Sequence, residues 1–463
     1  MNIGGLLAAL LLLFAAGFGA TLWLMRGAQR INLLECATLG WLFGCGLVSL
    51  GLWLGGLVLS GLALQAGVAV IAVGLALTGL ISARQSGARF VFPRPENFLE
   101  WILALAIALE ILLAFRSACS HGLGWDGLLN WEVKARYAFL NDGVLPPAYF
   151  GSATRAFTHP AYPLLIPLTE LWVYLWMGEP NQFWIKLIFP LFYAAGAILL
   201  ASSARRLTNR RWPGLLAAAL LFFVPCLTNS PGDVAGGYAD FPLGVFYLVA
   251  IGYLLRHAST REPGAFRIYA ASLALLPWTK REGVVLWLTA AIAGAFVLWR
   301  RRESPRTWLW FLPGILIIAA WKLFLHLLHT TEAGEFVPMN FHALMANLSR
   351  ALPLAKMVVR EMLVTYRWSL LWPLVALALV SLAGRARDWR LLLLGSAIIA
   401  PIALYAATYL FSSWPNYANH FDASYSRLLL HVVPVAWLAI ALAISRSSSA
   451  ALPSDKLRQS RNR

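Results

Sequence analysis

An all-α, polytopic membrane protein is the fold class this sequence predicts, on three observations. The 463 residues are 60% hydrophobic and only 12% charged, against about a quarter charged in a soluble domain. The apolar residues fall in runs of about 20, the length that carries a helix across the hydrocarbon core. The basic residues, which set a formal charge of +17, sit in short clusters between those runs, the pattern of cytoplasmic membrane-protein loops. That distribution makes membrane lipid, and not nucleic acid, the partner of the excess charge. Cys36, Cys45, Cys119 and Cys226 show neither metal-ligand spacing nor a disulfide framework. The apolar N-terminus lacks a basic leader and reads as a spanning helix.

Residues 4–24, 33–55 and 61–83 are each long and apolar enough to span. Arg26 and Arg30, then Arg84, Arg89 and Arg94, mark cytoplasmic loops and put the N-terminus outside. These three helices make an N-terminal unit, residues 1–97, ahead of a module covering residues 98–445. Residues 98–116 run outward. The stretch 162–177 is apolar but short, contains Pro163, Pro167 and Glu170, and is rich in Trp and Tyr, which predicts a helix lying in the interface. Residues 183–204 must end inside at Arg205, Arg206, Arg210 and Arg211, so residues 117–182 form one outer loop.

Beyond it the alternation continues. Residues 212–229 run outward, and 240–256 return to Arg256, Arg261 and Arg267. Residues 267–279 run outward, and 283–299 return to Arg300, Arg301, Arg302 and Arg306. Residues 308–328 run outward, and 369–384 return to Arg385, Arg387 and Arg390. Residues 390–411 run outward, and 427–445 lead to a basic tail, 446–463. The expected count is thirteen spanning helices, N-terminus out and C-terminus in, with no internal repeat. Loop 330–368 has the Leu344, Leu348, Leu352 spacing of an amphipathic interfacial helix that could close over a lipid substrate.

On this topology the uncommon polar groups collect on the outer face. The stretch Gly124–Arg136 carries Asp126, Glu132, Lys134 and Arg136, and Asp142 and His159 follow. Asp233, Tyr238 and Asp240 lie on the next outer loop, Lys280, Arg281 and Glu282 on a turn, and His420, Asp422, Tyr425 and Arg427 on the last. The loop 330–368 adds Glu332, Glu335 and several cations. Outer cations oppose the positive-inside bias. Lys280, Arg281 and Arg427 suit phosphate binding, and carboxylates beside them suit a general base or sugar hydroxyls.

Five segments carry a family resemblance: the Trp125-Asp126 loop; His159-Pro160-Ala161-Tyr162-Pro163-Leu164-Leu165; Tyr238-Ala239-Asp240-Phe241-Pro242-Leu243; Trp278-Thr279-Lys280-Arg281-Glu282-Gly283; and Ser426-Arg427-Leu428-Leu429-Leu430 before Pro434. In order and sidedness these resemble the GT-C membrane glycosyltransferases, near the protein O-mannosyltransferase and lipid A aminoarabinose transferase branch, over residues 98 to 445. The resemblance implies a GT-C-like fold and transfer of a sugar from a polyprenyl-phosphate donor to an acceptor glycan, lipid or protein outside the cytoplasm, at the inner (plasma) membrane. It implies Asp126 as catalytic base, Asp240, Tyr238, Glu132 and His159 as substrate-binding groups, and Lys280, Arg281 and Arg427 at the phosphate. The chain departs from the family in its three leading helices, in ending on a Ser/Arg-rich tail without a soluble domain, and in Asp126-Gly127 where a paired acidic motif is usual. The last departure points away from a metal; no cofactor beyond the lipid-linked donor is expected.

Plainer roles compete. Asp126 and Asp240 could cap helices, Glu132, Lys134 and Arg136 could form a solvated helical face, Lys280 could snorkel at a membrane boundary, and His159 before Pro160 could be structural. Glu110 and Lys322, within expected spans, are either functional or internally paired. A transporter or flippase for a lipid-linked sugar is the rival class, which would place functional charges on broken helices at the bilayer midplane; an O-antigen ligase or polymerase is a nearer variant.

Overall fold

A computed structural model describes residues 2–228, 234–260, 262, 264–330, 334–384 and 388–450, with side chains to residue 445. Asp233, Arg261, Glu332, Arg385, Arg387 and the tail from residue 451 lie outside the described residues, as do the side chains of 446–450. The chain is an all-α, polytopic membrane protein. Its one sheet among the described residues is a three-residue parallel ladder, Arg30–Asn32 against Arg89–Val91.

Nine helices among the described residues are long and apolar enough to cross a membrane, or ten if the pair Tyr417–Leu430 and Val433–Ser445, bent by 51°, counts as one span. Three further expected spans are shorter: Trp212–Leu221 (10 residues), Ala265–Thr279 (15) and Leu371–Ala383 (13). At 1.5 Å per residue they reach only about 15 to 22 Å, short of a core about 30 Å thick. The helices therefore fall short of thirteen full-length spans: Phe222 to Val224 interrupt the expected run 212–229, and the runs 267–279 and 369–384 are short from the outset.

Burial orders the bundle. Asp240–Thr260 is its axis, with 94% of its spanning window buried, whereas the windows of Gly61–Gln85, Phe98–Ser120 and Pro305–Leu327 are only 22%, 22% and 17% buried and form the lipid-facing periphery. The first three helices are not a detached unit. A Cβ on Gly17 would run into the Gly40 carbonyl, and one on Gly44 into that of Leu13, the close approach that small residues permit between membrane helices. Leu33–Gly55 then enters the main bundle: Trp278 donates its indole N–H to Ser49 Oγ at 2.9 Å and Tyr253 donates its hydroxyl to Glu35 at 2.7 Å.

The long axis separates two rims. Asp240 stands at one end of its helix and Arg256 near the other, roughly 24 Å away along the axis. The Arg256 rim also gathers Glu35, Arg206, Arg211 and Glu262. The Asp240 rim gathers Asp126, Lys280 and Arg427.

Several expectations change in the packed chain. Leu165–Met177 is no surface-lying helix: every residue from Leu165 to Tyr174 is buried, and Trp172 donates to the Ala9 carbonyl at 3.1 Å. Its aromatics face helices instead of headgroups, so its Trp/Tyr content reports packing. Glu110 is internally paired, accepting from the Tyr193 hydroxyl at 3.2 Å, while Lys322 is exposed on the bundle surface. Loop 330–368 does form helices, Phe341–Asn347 and Ala351–Met362, with Leu348 and Leu352 exposed. Arg360 ties it to Asp422 on Tyr417–Leu430 at 2.8 Å.

Candidate active site

The site begins with backbone that only glycine allows. Gly124 N–H donates to the Gly236 carbonyl at 2.8 Å. A Cβ on Gly127 would collide with that same carbonyl, and Gly237 is held at φ +83°. The Asp126 loop and the Tyr238 loop are thereby pressed together. Directly after Asp126, residues Gly127–Glu132 form a π-helical turn, a rare wide turn that recurs at functional sites. It turns Asp126 toward the bundle axis, where the residue is only 7% exposed.

Four elements far apart in sequence meet there. Arg427, from Tyr417–Leu430, donates to Asp126 and also contacts Asp240 at 3.1 Å. Asp240 is fully buried and accepts from Lys280 Nζ at 2.6 Å and His431 Nε2 at 2.9 Å. As the first residue of its helix it also benefits from the positive end of the helix dipole. The Arg427 guanidinium lies 5.0 Å over the Tyr238 ring, a cation–π contact. Lys280 also approaches Glu282 at 3.5 Å. Burial opposes the Lys280 charge, but Asp240 and Glu282 outweigh it and hold its ammonium above the usual lysine value. Burial likewise opposes the Glu282 charge, and Lys280 overcomes it, leaving that carboxyl below its usual range.

Asp126, Asp240, Tyr238, Lys280 and Arg427 thus share one cluster. The other expected residues stand apart to different degrees. His159, at φ +49°, stacks on Tyr162 at 5.0 Å, and Tyr162 reaches Glu282 at 3.5 Å, so His159 lies at the cluster's edge. Arg281 is exposed beside it. Glu132 is elsewhere: it accepts from Arg136 and from the Tyr174 hydroxyl, both at 2.8 Å, and at 2% exposure it braces the interior and is no solvated face. Lys280 is not a snorkelling cation either, being 2% exposed behind Asp240.

No protein-family model, curated protein or solved structure matches this chain. What the site can do rests on its own geometry.

Sequence reading missed His431 and gave no site role to Glu282 or Lys134. His431 lies in a run of Leu and Val, and a histidine within an apolar span was the available signal. It bridges Asp240 to the Tyr405 hydroxyl, 3.1 Å from Nδ1, and since a carboxylate has no proton to give, Nε2 must be the donor to Asp240. Glu282 sat inside a quoted motif without a role; among the described residues its enclosed Oε2 has no hydrogen-bond partner, which suits it to accept from a ligand hydroxyl. Lys134 is fully buried, donates to the Asn130 carbonyl at 2.7 Å and faces the Trp131 ring at 5.2 Å. Burial pushes it down to about 7 against the pull of Asp126 and Glu170. Burial also raises the Glu170 carboxyl, whose two oxygens lack partners. Among the described residues no three His, Cys, Asp or Glu side chains are placed to share a metal ion.

Proposed function

We propose that this protein is a glycosyltransferase that moves a sugar from a polyprenyl-phosphate-linked donor to an acceptor hydroxyl of a glycan, lipid or protein. The reaction takes place at the extracytoplasmic face of the inner (plasma) membrane, within a GT-C-like fold of thirteen crossings, some made by short helices. The positive-inside bias puts the Arg256 rim in the cytoplasm and the Asp126 rim outside.

The observation that carries this reading is the position of Arg427 between Asp126 and Asp240. A donor phosphate competes with Asp126 for the guanidinium. Arg427 turns to the phosphate while keeping Asp240, and Asp126 is released. The acceptor oxygen then bonds to the anomeric carbon, the bond from that carbon to the phosphate oxygen breaks, and its electron pair leaves on the lipid phosphate, countered by Arg427. Asp126 takes the hydroxyl proton as the new bond forms. Lys280 and His431 act through Asp240, fixing its orientation, and Glu282 Oε2 accepts from a sugar hydroxyl. Arg427 and His431 belong to the bent pair Tyr417–Leu430 and Val433–Ser445, but the functional charges gather at one rim and not at mid-bundle, which favours an enzyme over a transporter.

Turnover of purified protein with native donor and acceptor tests the phosphate role. Arg427→Ala is expected to lose on the order of a hundredfold or more, and Arg427→Lys to recover only part, since one ammonium cannot replace a two-pronged guanidinium. Wild-type turnover in Arg427→Ala removes Arg427, and the exchange with Asp126, from the reaction.

A further inference from the structure

The rim opposite the candidate active site carries a second built feature. A cavity of about 590 Å³ opens between the start of Phe98–Ser120, the end of Ile188–Thr208 and the start of Trp212–Leu221. That volume falls within the usual range for ligand sites, roughly 300 to 1,000 Å³. Its long wall is apolar, made by Trp101, Ala104, Ile107, Ala108, Ile111 and Ile198. At one end it meets a second cavity of about 390 Å³ that shares Arg94, Arg205 and Arg211 and adds Arg30, Arg206 and Arg256.

These cations are not equally spoken for. Arg211 is engaged by Glu96 at 2.5 Å and, more distantly, by Glu100 at 3.8 Å. Arg206 and Arg256 share the buried Glu35 at 3.3 and 3.0 Å. Among the described residues Arg94 and Arg205 have no carboxylate within ion-pair distance; Arg205 feels the repulsion of Arg211 and Arg206 more than the attraction of Glu96 and Glu35. Like charges held together at the mouth of an apolar groove cost free energy unless an anion completes them. The position of Arg94 is fixed by the backbone: the Arg30–Asn32 and Arg89–Val91 ladder anchors its loop, and Arg211 donates to the Arg94 carbonyl.

We propose that this groove binds an anionic phospholipid of the bilayer, with the headgroup phosphate between Arg94 and Arg205 and one acyl chain along Trp101, Ala104, Ala108 and Ile111. An apolar trough at the lipid-facing periphery, ending in two arginines without a carboxylate at ion-pair distance, has the two-part chemistry of such a molecule, and basic pockets between membrane helices are where anionic headgroups are held. A soluble phosphate would use the arginines and leave the trough empty. Its arginines line the same cavity as Arg256, at the rim opposite Asp240, so headgroup binding does not depend on glycosyl transfer.

The test is titration of the full-length protein in neutral detergent, read by native mass spectrometry, with phosphatidylglycerol, phosphatidylcholine and glycerol phosphate. Saturable binding of phosphatidylglycerol in preference to phosphatidylcholine is expected. With each arginine near a headgroup contributing about fivefold, Arg94→Gln with Arg205→Gln should weaken that binding by on the order of twenty- to thirtyfold. Ala104→Trp fills the trough, keeps every cation, and should abolish the same binding. Equal binding of both lipids, glycerol phosphate competing as strongly as the lipid, or unaltered binding in either folded variant overturns the proposal. If one variant fails to fold, the other decides.

Discussion

Asp126 and Asp240 share Arg427, yet removing each carboxylate should have opposite consequences. Asp240→Asn takes the counter-charge from a fully buried position. Lys280, 2% exposed, loses its 2.6 Å partner and keeps only Glu282 at 3.5 Å; His431 loses its charged acceptor, and Arg427 keeps Asp126 alone. Breaking a buried pair by removing one partner costs about 3–5 kcal/mol, and the two cations here depend on the same carboxylate. Asp126→Asn is different. Arg427 retains Asp240 at 3.1 Å, Asp126 has no other ion pair among the described residues, and an asparagine oxygen can still accept from the guanidinium. The expected stability cost is about 1 kcal/mol, the worth of one weakened hydrogen bond. Activity should run the other way, with Asp126→Asn folded and losing roughly a hundredfold or more in turnover because the proton acceptor is gone. Thermal unfolding in detergent, paired with turnover on native donor and acceptor, measures both. If Asp126→Asn unfolds as readily as Asp240→Asn, or if it keeps near-normal turnover, the division into a reacting and a scaffolding carboxylate is wrong.

Gly127→Ala should push the Asp126 and Tyr238 loops apart, since its Cβ meets the Gly236 backbone; overpacking of this kind costs about 1–3 kcal/mol, and unchanged melting with unchanged turnover would contradict it. Lys134, pushed down to about 7, binds fewer protons folded than unfolded between pH 7 and its ordinary value near 10.4; stability should therefore rise with pH across that window, and a Lys134→Met chain with the same slope would count against it. For topology, a cysteine replacing Glu179 should react with an impermeant reagent from outside intact cells and one replacing Thr208 should not; the reverse pattern would move the site to the cytoplasm.

The sequence by itself determined the membrane class, most helix ends and the order of the polar segments, because hydropathy over 20 residues and arginine placement are local properties of a chain in a bilayer. It also held the four charged cluster residues Asp126, Asp240, Lys280 and Arg427, since charged groups in an apolar chain are few enough to be noticed one by one, and Tyr238 came with the Asp240 segment. Partnership was a different matter. Nothing local tells that Lys280 is enclosed behind Asp240 while Arg427 keeps part of its surface open, or that Glu132 spends its charge on Arg136 and Tyr174. His431 looked like one polar residue in a run of leucines and valines until the 51° bend before Val433 set it against Asp240. Leu165–Met177 had the composition of a surface helix and became core, because Ile3–Leu24 and Leu33–Gly55 cover it. Which carboxylate faces which cation is fixed by contacts up to 301 residues apart, and those exist only after the helices have packed.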